Sequence, residues 1–261
     1  MKYDLVKNKF ARLIDSFPIF RKIFYMLLDL LLLRQWYVKS KIRKVFPKNK
    51  KIKFYDAGAG FGQYSWFVLN HFKNAQVLAV DLKTDYMNSF AKYCNKFPDK
   101  NFTAKQADLV EYIPNEKYDL IIAVDILEHI EDDRQVLKNF SQAISPEGKL
   151  IISSPSTFDE SAKFVAEHVR PGYSKEEIIE KLQTAGFKLK SFEYSYGKFG
   201  HIYWLLAMKW PLKIIDINKL LFLLLPFYYL VFYPFILIFM AADFYGKNRI
   251  GTGIIVVAEK E

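Results

Sequence analysis

A chain of 261 residues suits one large α/β domain, or one domain carrying a sizeable insertion. With 51% hydrophobic and 25% charged residues, global disorder is excluded; the single cysteine, Cys94, excludes a disulfide framework and a cysteine-built zinc site and fits a reducing compartment. The formal charge of +10 is uneven, because residues 1–53 hold 15 Lys/Arg against three Asp/Glu and the remainder is close to neutral.

Residues 1–50 read as a basic and apolar helical segment. Phe17-Pro18-Ile19-Phe20 and the stretch from Ile23 to Leu33 are followed by Lys39, Lys41, Arg43 and Lys44. Apolar clusters flanked by cations favour a lipid interface over a phosphodiester groove; a helix packed on a core by its apolar face is the plain alternative. Asp29 interrupts the Leu27–Leu33 run, and no small-residue cleavage site follows, so it does not read as a secretory leader.

From residue 51 the chain alternates strands and helices. Lys53 to Asp56 predicts a strand, Ala57 to Gly62 a glycine-rich turn, and Gln63 to Phe72 a helix. Strands are predicted at 76–81, 102–108 and 118–125, the last apolar enough to be buried on both faces, and a helix at 84–96. Asp132 is placed to cap a helix with apolar positions Val136, Leu137, Phe140 and Ile144. A turn at Ser145–Gly148 then leads into a strand starting at Leu150. The capping box Ser174-Lys175-Glu176-Glu177 and Gly186 bound a helix over 174–185, and strands follow at 188–196 and 253–258. This alternation predicts a doubly wound, mostly parallel sheet of seven strands, formed by residues 51–198 and 250–261.

Residues 199–249 form an insertion between the last two strands. Leu220 to Ala242 carries no charge and is long enough to span a membrane, but Pro226 and Pro234 fall inside it. If the flanking strands share one sheet, an odd number of crossings is excluded and two crossings need about 40 apolar residues. The expectation is an in-plane or re-entrant apolar cap, flanked by Lys198, Lys209, Lys213, Lys219, Lys247 and Arg249; short helices closing a hydrophobic pocket are the alternative. A peripheral or monotopic position on the cytoplasmic side of a membrane follows from this reading.

A strand ending in Asp56, a glycine turn, and an acid ending the next strand form a nucleoside-binding arrangement. Asp81 is placed to accept from ribose hydroxyls, and Asp108 from an adenine amino group, with Leu82 and Leu109 lining the base. The spacing of Gly58, Gly60 and Gly62 is not that of the dinucleotide fingerprint, and Tyr194 and Lys198 fall in a strand and turn that spoil a dehydrogenase Tyr-x-x-x-Lys geometry. The pieces DAGAGFG (56–62), VLAVD (77–81), KQADLVEY (105–112), VDILEHIED (124–132) and SPEGKLIISSP (145–155) together resemble the class I S-adenosylmethionine-dependent methyltransferases, in particular their quinone and small-molecule subset. The resemblance implies a Rossmann-like sheet with an antiparallel last strand and S-adenosylmethionine as cofactor. It would set Asp56, Gly58 and Gly60 around the methionine part, Asp81 on the ribose, Asp108 and Leu109 at the adenine, and Asp125 near the amino group.

A hydroxyl acceptor needs a base, and His129, beside Glu128 at the end of the fourth strand, is the first candidate, with His168 and His201 as others near the substrate. Asp125, Glu128 and His129 also resemble an acid-x-x-Glu-His arrangement of quinone O-methyltransferases that can hold a divalent cation; a loop whose Glu caps the next helix is the favoured reading, so no metal is expected. Trp36 and Tyr37 are candidates for a lid over the cofactor. The expected activity is methyl transfer, most simply to oxygen, on an apolar small molecule or lipid. Alternatives are a non-catalytic membrane-anchored module and a nucleic-acid methyltransferase; no Asn/Asp-Pro-Pro-aromatic motif follows the fourth strand, so nucleic acid is not the expected partner.

Overall fold

The computed structural model describes residues 18–159 and 168–261; the first 17 residues of the predicted N-terminal segment lie outside it. Two helices, α1 (Pro18–Leu31) and α2 (Leu33–Val45), precede β1 (Lys53–Ala57), α3 (Gln63–His71), β2 (Gln76–Asp81), α4 (Thr84–Cys94), β3 (Asn101–Gln106) and β4 (Tyr118–Val124). Then come α5 (Asp133–Ala143), β5 (Ile144–Pro155), α6 (Lys175–Thr184) and β6 (Phe187–Ser195). The insertion contains α7 (Lys198–Trp204), α8 (Trp210–Ile217) and α9 (Leu225–Tyr245), and β7 (Gly253–Lys260) closes the chain.

The sheet has seven strands in the order β3-β2-β1-β4-β5-β7-β6, with β7 antiparallel to both neighbours. The order reverses beside β1, which pairs in parallel with β2 on one side and β4 on the other. Successive residues alternate between two cores. Phe54 and Ile122 face the core built with α1–α4 and the insertion, whereas Tyr55 and Ile121 face the one built with α5 and α6. Both faces are therefore covered, as the continuous apolar run of β4 requires. The caps form as the sequence indicates: Asp132 accepts from the Gln135 N–H and Ser174 from the Glu177 N–H.

Three details differ from expectation. The strand β3 ends at Gln106, so Asp108 lies in the following turn. The Ser145–Gly148 turn lies within β5, whose pairing with β4 shifts between Tyr118 and Leu120; Glu147 there takes a left-handed φ of 59°. Neither proline breaks the apolar helix, since Pro226 stands in its first turn, where its missing N–H costs nothing, and Pro234 lies inside α9 without ending it. Side-chain bonds hold α9 on both sides of Pro234. Before it, Tyr228 donates to Leu206 O (2.8 Å) and Tyr229 to Ala207 O (2.7 Å); after it comes Asp243.

Asp243 is fully buried and joins three parts of the chain. It accepts from the Tyr37 hydroxyl of α2 (2.9 Å) and from the N–H groups of Tyr196 (3.1 Å), Gly197 (2.8 Å) and Gly200 (2.9 Å). Ile236 and Met240 are buried on the same side, so the second half of α9 lies on protein. The outer side is bare: Lys219–Tyr245 is long and apolar enough to cross a membrane, and 6% of its most apolar stretch is buried. Part of the N-terminal charge is spent within the fold, because Lys39 pairs with Asp29, Lys41 with Glu193, and Arg43 lies 4.9 Å from the Phe67 ring.

Asp243→Ala leaves the buried or half-buried N–H groups of Tyr196, Gly197 and Gly200 without their acceptor, while the Tyr37 hydroxyl keeps the residue 243 main-chain carbonyl (2.8 Å). The expected cost is roughly 3 kcal/mol of stability, against about 1 kcal/mol for Tyr37→Phe, read by urea denaturation.

Candidate functional site

The glycine turn after β1 is built from left-handed backbone, with φ of 77° at Gly58, 52° at Gly60 and 75° at Gly62. These angles suit glycine, and the surroundings separate the three. A Cβ at Gly58 would stand 2.7 Å from Ile126 and one at Gly62 2.4 Å from Phe90, whereas one at Gly60 would meet nothing within 4 Å. Gly58 and Gly62 therefore serve packing, and Gly60 faces open space. The turn hangs on the end of β2: Gly58 and Ala59 donate to Val80 O, and Gly60 donates to the Asp81 carboxylate (2.9 Å).

Asp81 takes a second backbone donor, Lys83 N–H, on its other oxygen at 2.8 Å. Each oxygen keeps a further lone pair, so the half-exposed carboxylate can still accept two hydroxyl donors. Beside it Leu82 is 60% exposed, and Asp108 is exposed, with one oxygen held by Val110 N–H (2.9 Å). Leu109 differs from its predicted role as a base-lining side chain, since it is 4% exposed and packed in the α5–α6 core. Asp56 is also not exposed to the cleft. It is buried and accepts from Ser65 N–H (3.1 Å) and Ser65 Oγ (2.7 Å), locking the start of α3 beneath the turn. Burial pushes its carboxyl up to about 7, against which the Ser65 bonds act.

One strand over, Asp125 takes a left-handed φ of 48° and pairs with Arg34 of α2. Burial opposes the charge of Arg34, but the neighbouring Tyr64 and Tyr196 hydroxyls and Glu128 outweigh it and hold its pKa above the ordinary value. Its buried Nε–H has no hydrogen-bond partner among the described residues. Both Arg34 and Asp125 line a cavity of about 570 Å³ whose walls come from β5, the β6–α7 turn and the insertion. Phe158, Tyr196, Tyr203, Trp204 and Met208 give it an aromatic and apolar side, and Arg34, Asp125, Ser154, Asp159 and His201 a polar one. The N-terminal helices close this edge. Tyr25 donates to Phe61 O (2.6 Å), as does Arg21 (3.1 Å), so α1 lies across the glycine turn.

The predicted catalytic group lies just behind this wall. Glu128 is buried, accepts from Ser154 Oγ (3.0 Å), and has its pKa raised, chiefly by burial. The rings of His129 and His168 meet edge-on with centroids 4.5 Å apart, and one ligand atom from each of Glu128, His129 and His168 lies within 4.8 Å of the others. None of the three is among the residues lining the cavity, whereas Ser154 and His201 are. A carboxylate and two imidazoles fit a transition-type cation, but the set differs from the one the sequence suggested, because Asp125 is engaged by Arg34. Arg170 is fully occupied in pinning the 127–131 loop, donating to Leu127 O, Ile130 O and Glu131 O. Trp36 and Tyr37 pack on Phe244 of α9 and do not form a lid over the glycine turn. Sequence reasoning missed Arg34 as a site residue, which no motif marks. It also missed Tyr196, held at φ 56° beside the buried acid Asp243.

Comparison with known proteins gives the following. Residues 55–150 match the family model described as "Methyltransferase domain". The chain is similar to a ubiquinone biosynthesis O-methyltransferase of Rickettsia canadensis, with 26% identity over 206 residues that cover 73% of this chain and 84% of that one. It is 28% identical over 97 residues to an (S)-coclaurine N-methyltransferase of Papaver somniferum, covering 37% of this chain and only 28% of the relative. In structure it resembles phosphoethanolamine N-methyltransferase 2 of Haemonchus contortus in complex with S-adenosyl-L-methionine, at a TM-score of 0.61 and 20% identity, covering 85% of this chain and 51% of that one.

Because burial raises the Asp56 pKa above its unfolded value, the folded chain keeps a proton there between about pH 4 and pH 7 that the unfolded chain has lost. The stabilising contribution is thus full below about pH 4 and is lost as pH rises through about 7. Asp56→Asn cannot titrate, so the wild-type-minus-variant difference in melting temperature should fall by several degrees across that window, measured by thermal denaturation in a pH series.

Proposed function

From a chain that belongs, over residues 55–150, to the methyltransferase-domain family, we propose an enzyme that moves a methyl group from S-adenosylmethionine to an apolar small molecule or lipid, at oxygen, beside a membrane surface. The observation that carries this reading is the continuity of the strand edge. Gly60 opens on free space beside Asp81, and Gly58, in the same turn, packs on Ile126, next to Asp125 of the aromatic cavity.

The residues fit the cofactor. Gly60 leaves a cradle that a Cβ would fill, Asp81 has lone pairs for two ribose hydroxyls, and Asp108 and Leu82 flank the place of the base. Asp125 suits the amino group, and the unpartnered Nε–H of Arg34 suits the carboxylate. The sulfonium supplies an electrophilic methyl, so the protein has to align acceptor and donor and exclude water. Tyr196, Tyr203 and Trp204 provide flat apolar walls for the acceptor. His201, in the cavity wall, is better placed than His129 to take the proton of an acceptor hydroxyl, since Ser154 separates Glu128 from the cavity. The oxygen preference is supported by the Rickettsia relative, and the apolar acceptor by the cavity lining.

Membrane contact is supported by the exposed apolar side chains of α1, among them Ile19 and Met26, and of the insertion, among them Leu220, Leu223 and Leu230. The two meet, since Tyr233 donates to Leu30 O at 3.2 Å. A face of this size is uncommon on a freely soluble monomer.

Incubation with methyl-labelled S-adenosylmethionine and total membrane lipid should yield one labelled, organic-soluble product. Asp81→Ala should weaken cofactor binding in equilibrium dialysis by at least about tenfold, the scale of a lost charged hydrogen-bonding group. Unchanged binding would remove the cofactor reading. His201→Ala should lower kcat about 100-fold or more with cofactor binding intact, and unchanged turnover would move the base elsewhere. Replacing Leu220, Leu223 and Leu230 by Ser should abolish flotation with lipid vesicles while leaving the melting temperature within a few degrees of wild type, since all three are exposed.

A further inference from the structure

A second concavity, of about 620 Å³, lies between α2, β6 and the turn after α9. It shares a wall with the first cavity, because Phe158 of the first packs on Tyr194 of the second with centroids 5.9 Å apart. Its lining holds five cations, Lys41, Lys44, Lys175, Lys247 and Arg249, against one carboxylate, Glu193. Glu193 is already engaged by Lys41, and Lys44, Lys247 and Arg249 make no ion pair among the described residues. Of the acids outside the lining, Asp243 is buried behind Tyr37 and spends its oxygens on four donors, and Glu176, next to Lys175, is near enough to act on Tyr194.

We infer that this basin binds a phosphate group, carried by a lipid headgroup or free in solution. Like charges gathered around one concave wall repel each other, and the low-dielectric wall concentrates their field on whatever enters. A carboxylate would be satisfied by a single ammonium, as Glu193 is by Lys41. Several unpaired point charges match a doubly charged or diester oxyanion with acceptors on every side. The partial negative charge at the end of α9 amounts to about half an elementary charge and is far outweighed. The remaining surface is aromatic, with Phe192 under Lys175 (5.6 Å) and Tyr245, 80% exposed, at the rim. The basin therefore stands at the end of the bare apolar helix, where a headgroup phosphate would lie if α9 rests on lipid. That lipid source rests on the membrane contact proposed above; the phosphate site itself does not.

The test compares the intact chain with a basin variant, Lys44→Ala, Lys247→Ala and Arg249→Ala combined, and with a control, Lys73→Ala, Lys138→Ala and Lys188→Ala combined. All six side chains are exposed and the two variants remove the same charge. One arm is flotation with vesicles of phosphatidylcholine, alone or with about one-fifth phosphatidylglycerol; the other is titration with inorganic phosphate. Near a charged surface each cation contributes enough that the basin variant should lose about 100-fold in binding to the anionic vesicles, and the control less than about threefold. Loss in the vesicle arm without saturable binding of inorganic phosphate assigns the site to lipid phosphate. Saturable binding of inorganic phosphate that the basin variant alone loses assigns it to the free ion. Equal losses in both variants, or no binding in either arm, would overturn the inference. Cofactor dialysis on the same proteins keeps the outcome separate from the transfer activity, since none of the six residues touches the glycine turn.

Discussion

Three backbone donors of one short turn, at Gly58, Ala59 and Gly60, reach the end of the neighbouring strand, and the rest of the site depends on their doing so. The turn can adopt the required left-handed path only because a Cβ is absent where Ile126 and Phe90 press against it. Asp56 holds the turn from beneath through Ser65, and Asp81 holds it from the side. The Asp81 carboxylate that fixes the loop thus also stands beside the open space at Gly60, where the proposed function puts the ribose. Burial pushes the other carboxyl toward its neutral form, so its hold on Ser65 is met at an electrostatic cost.

A second constraint assembles the walls. Asp243 is the single acid at the end of an otherwise uncharged run, and its oxygens collect donors from α2, from the β6–α7 turn and from α7. Without them three backbone N–H groups would be left unpaired, and the Tyr37 hydroxyl would keep only the Asp243 main-chain carbonyl. This carboxylate explains how an apolar helix with an interior proline keeps one half on the domain and leaves the other half bare. It also explains why the N-terminal helices and the insertion, at opposite ends of the sequence, together form one cavity.

The sheet was legible because strand spacing, caps and the alternation of apolar residues all agree with one topology. The misses have local physical causes. Asp108 was placed on a strand, yet its side chain closes a turn on Val110, a bond that aspartate makes as readily as a strand-end contact. Leu109 reads as a lining residue, but the turn after β3, held on α5 where Asn139 donates to Leu109 O, buries its side chain in the core. An interior proline ends a helix when nothing else supports it; here tyrosine hydroxyls and Asp243 hold α9 on both sides of Pro234. The approach of His129 to His168, and of Arg34 to Asp125, joins positions 39 and 91 residues apart, and no spacing rule reaches across such distances.

Transfer of a methyl from sulfonium to an acceptor makes its main demand on alignment and dryness, so the way the covers are linked bears on the chemistry. The joint between α1 and α2 at Leu32 lies on the cavity wall. Tyr203 of the insertion bridges that joint, donating to Leu31 O (2.5 Å) and accepting from Leu33 N–H (3.3 Å). Any movement of α1 away from the glycine turn must therefore break or carry with it a buried tyrosine of the opposite wall. The helix lying across the glycine turn and the helices that line the cavity are thus tied together at one buried tyrosine.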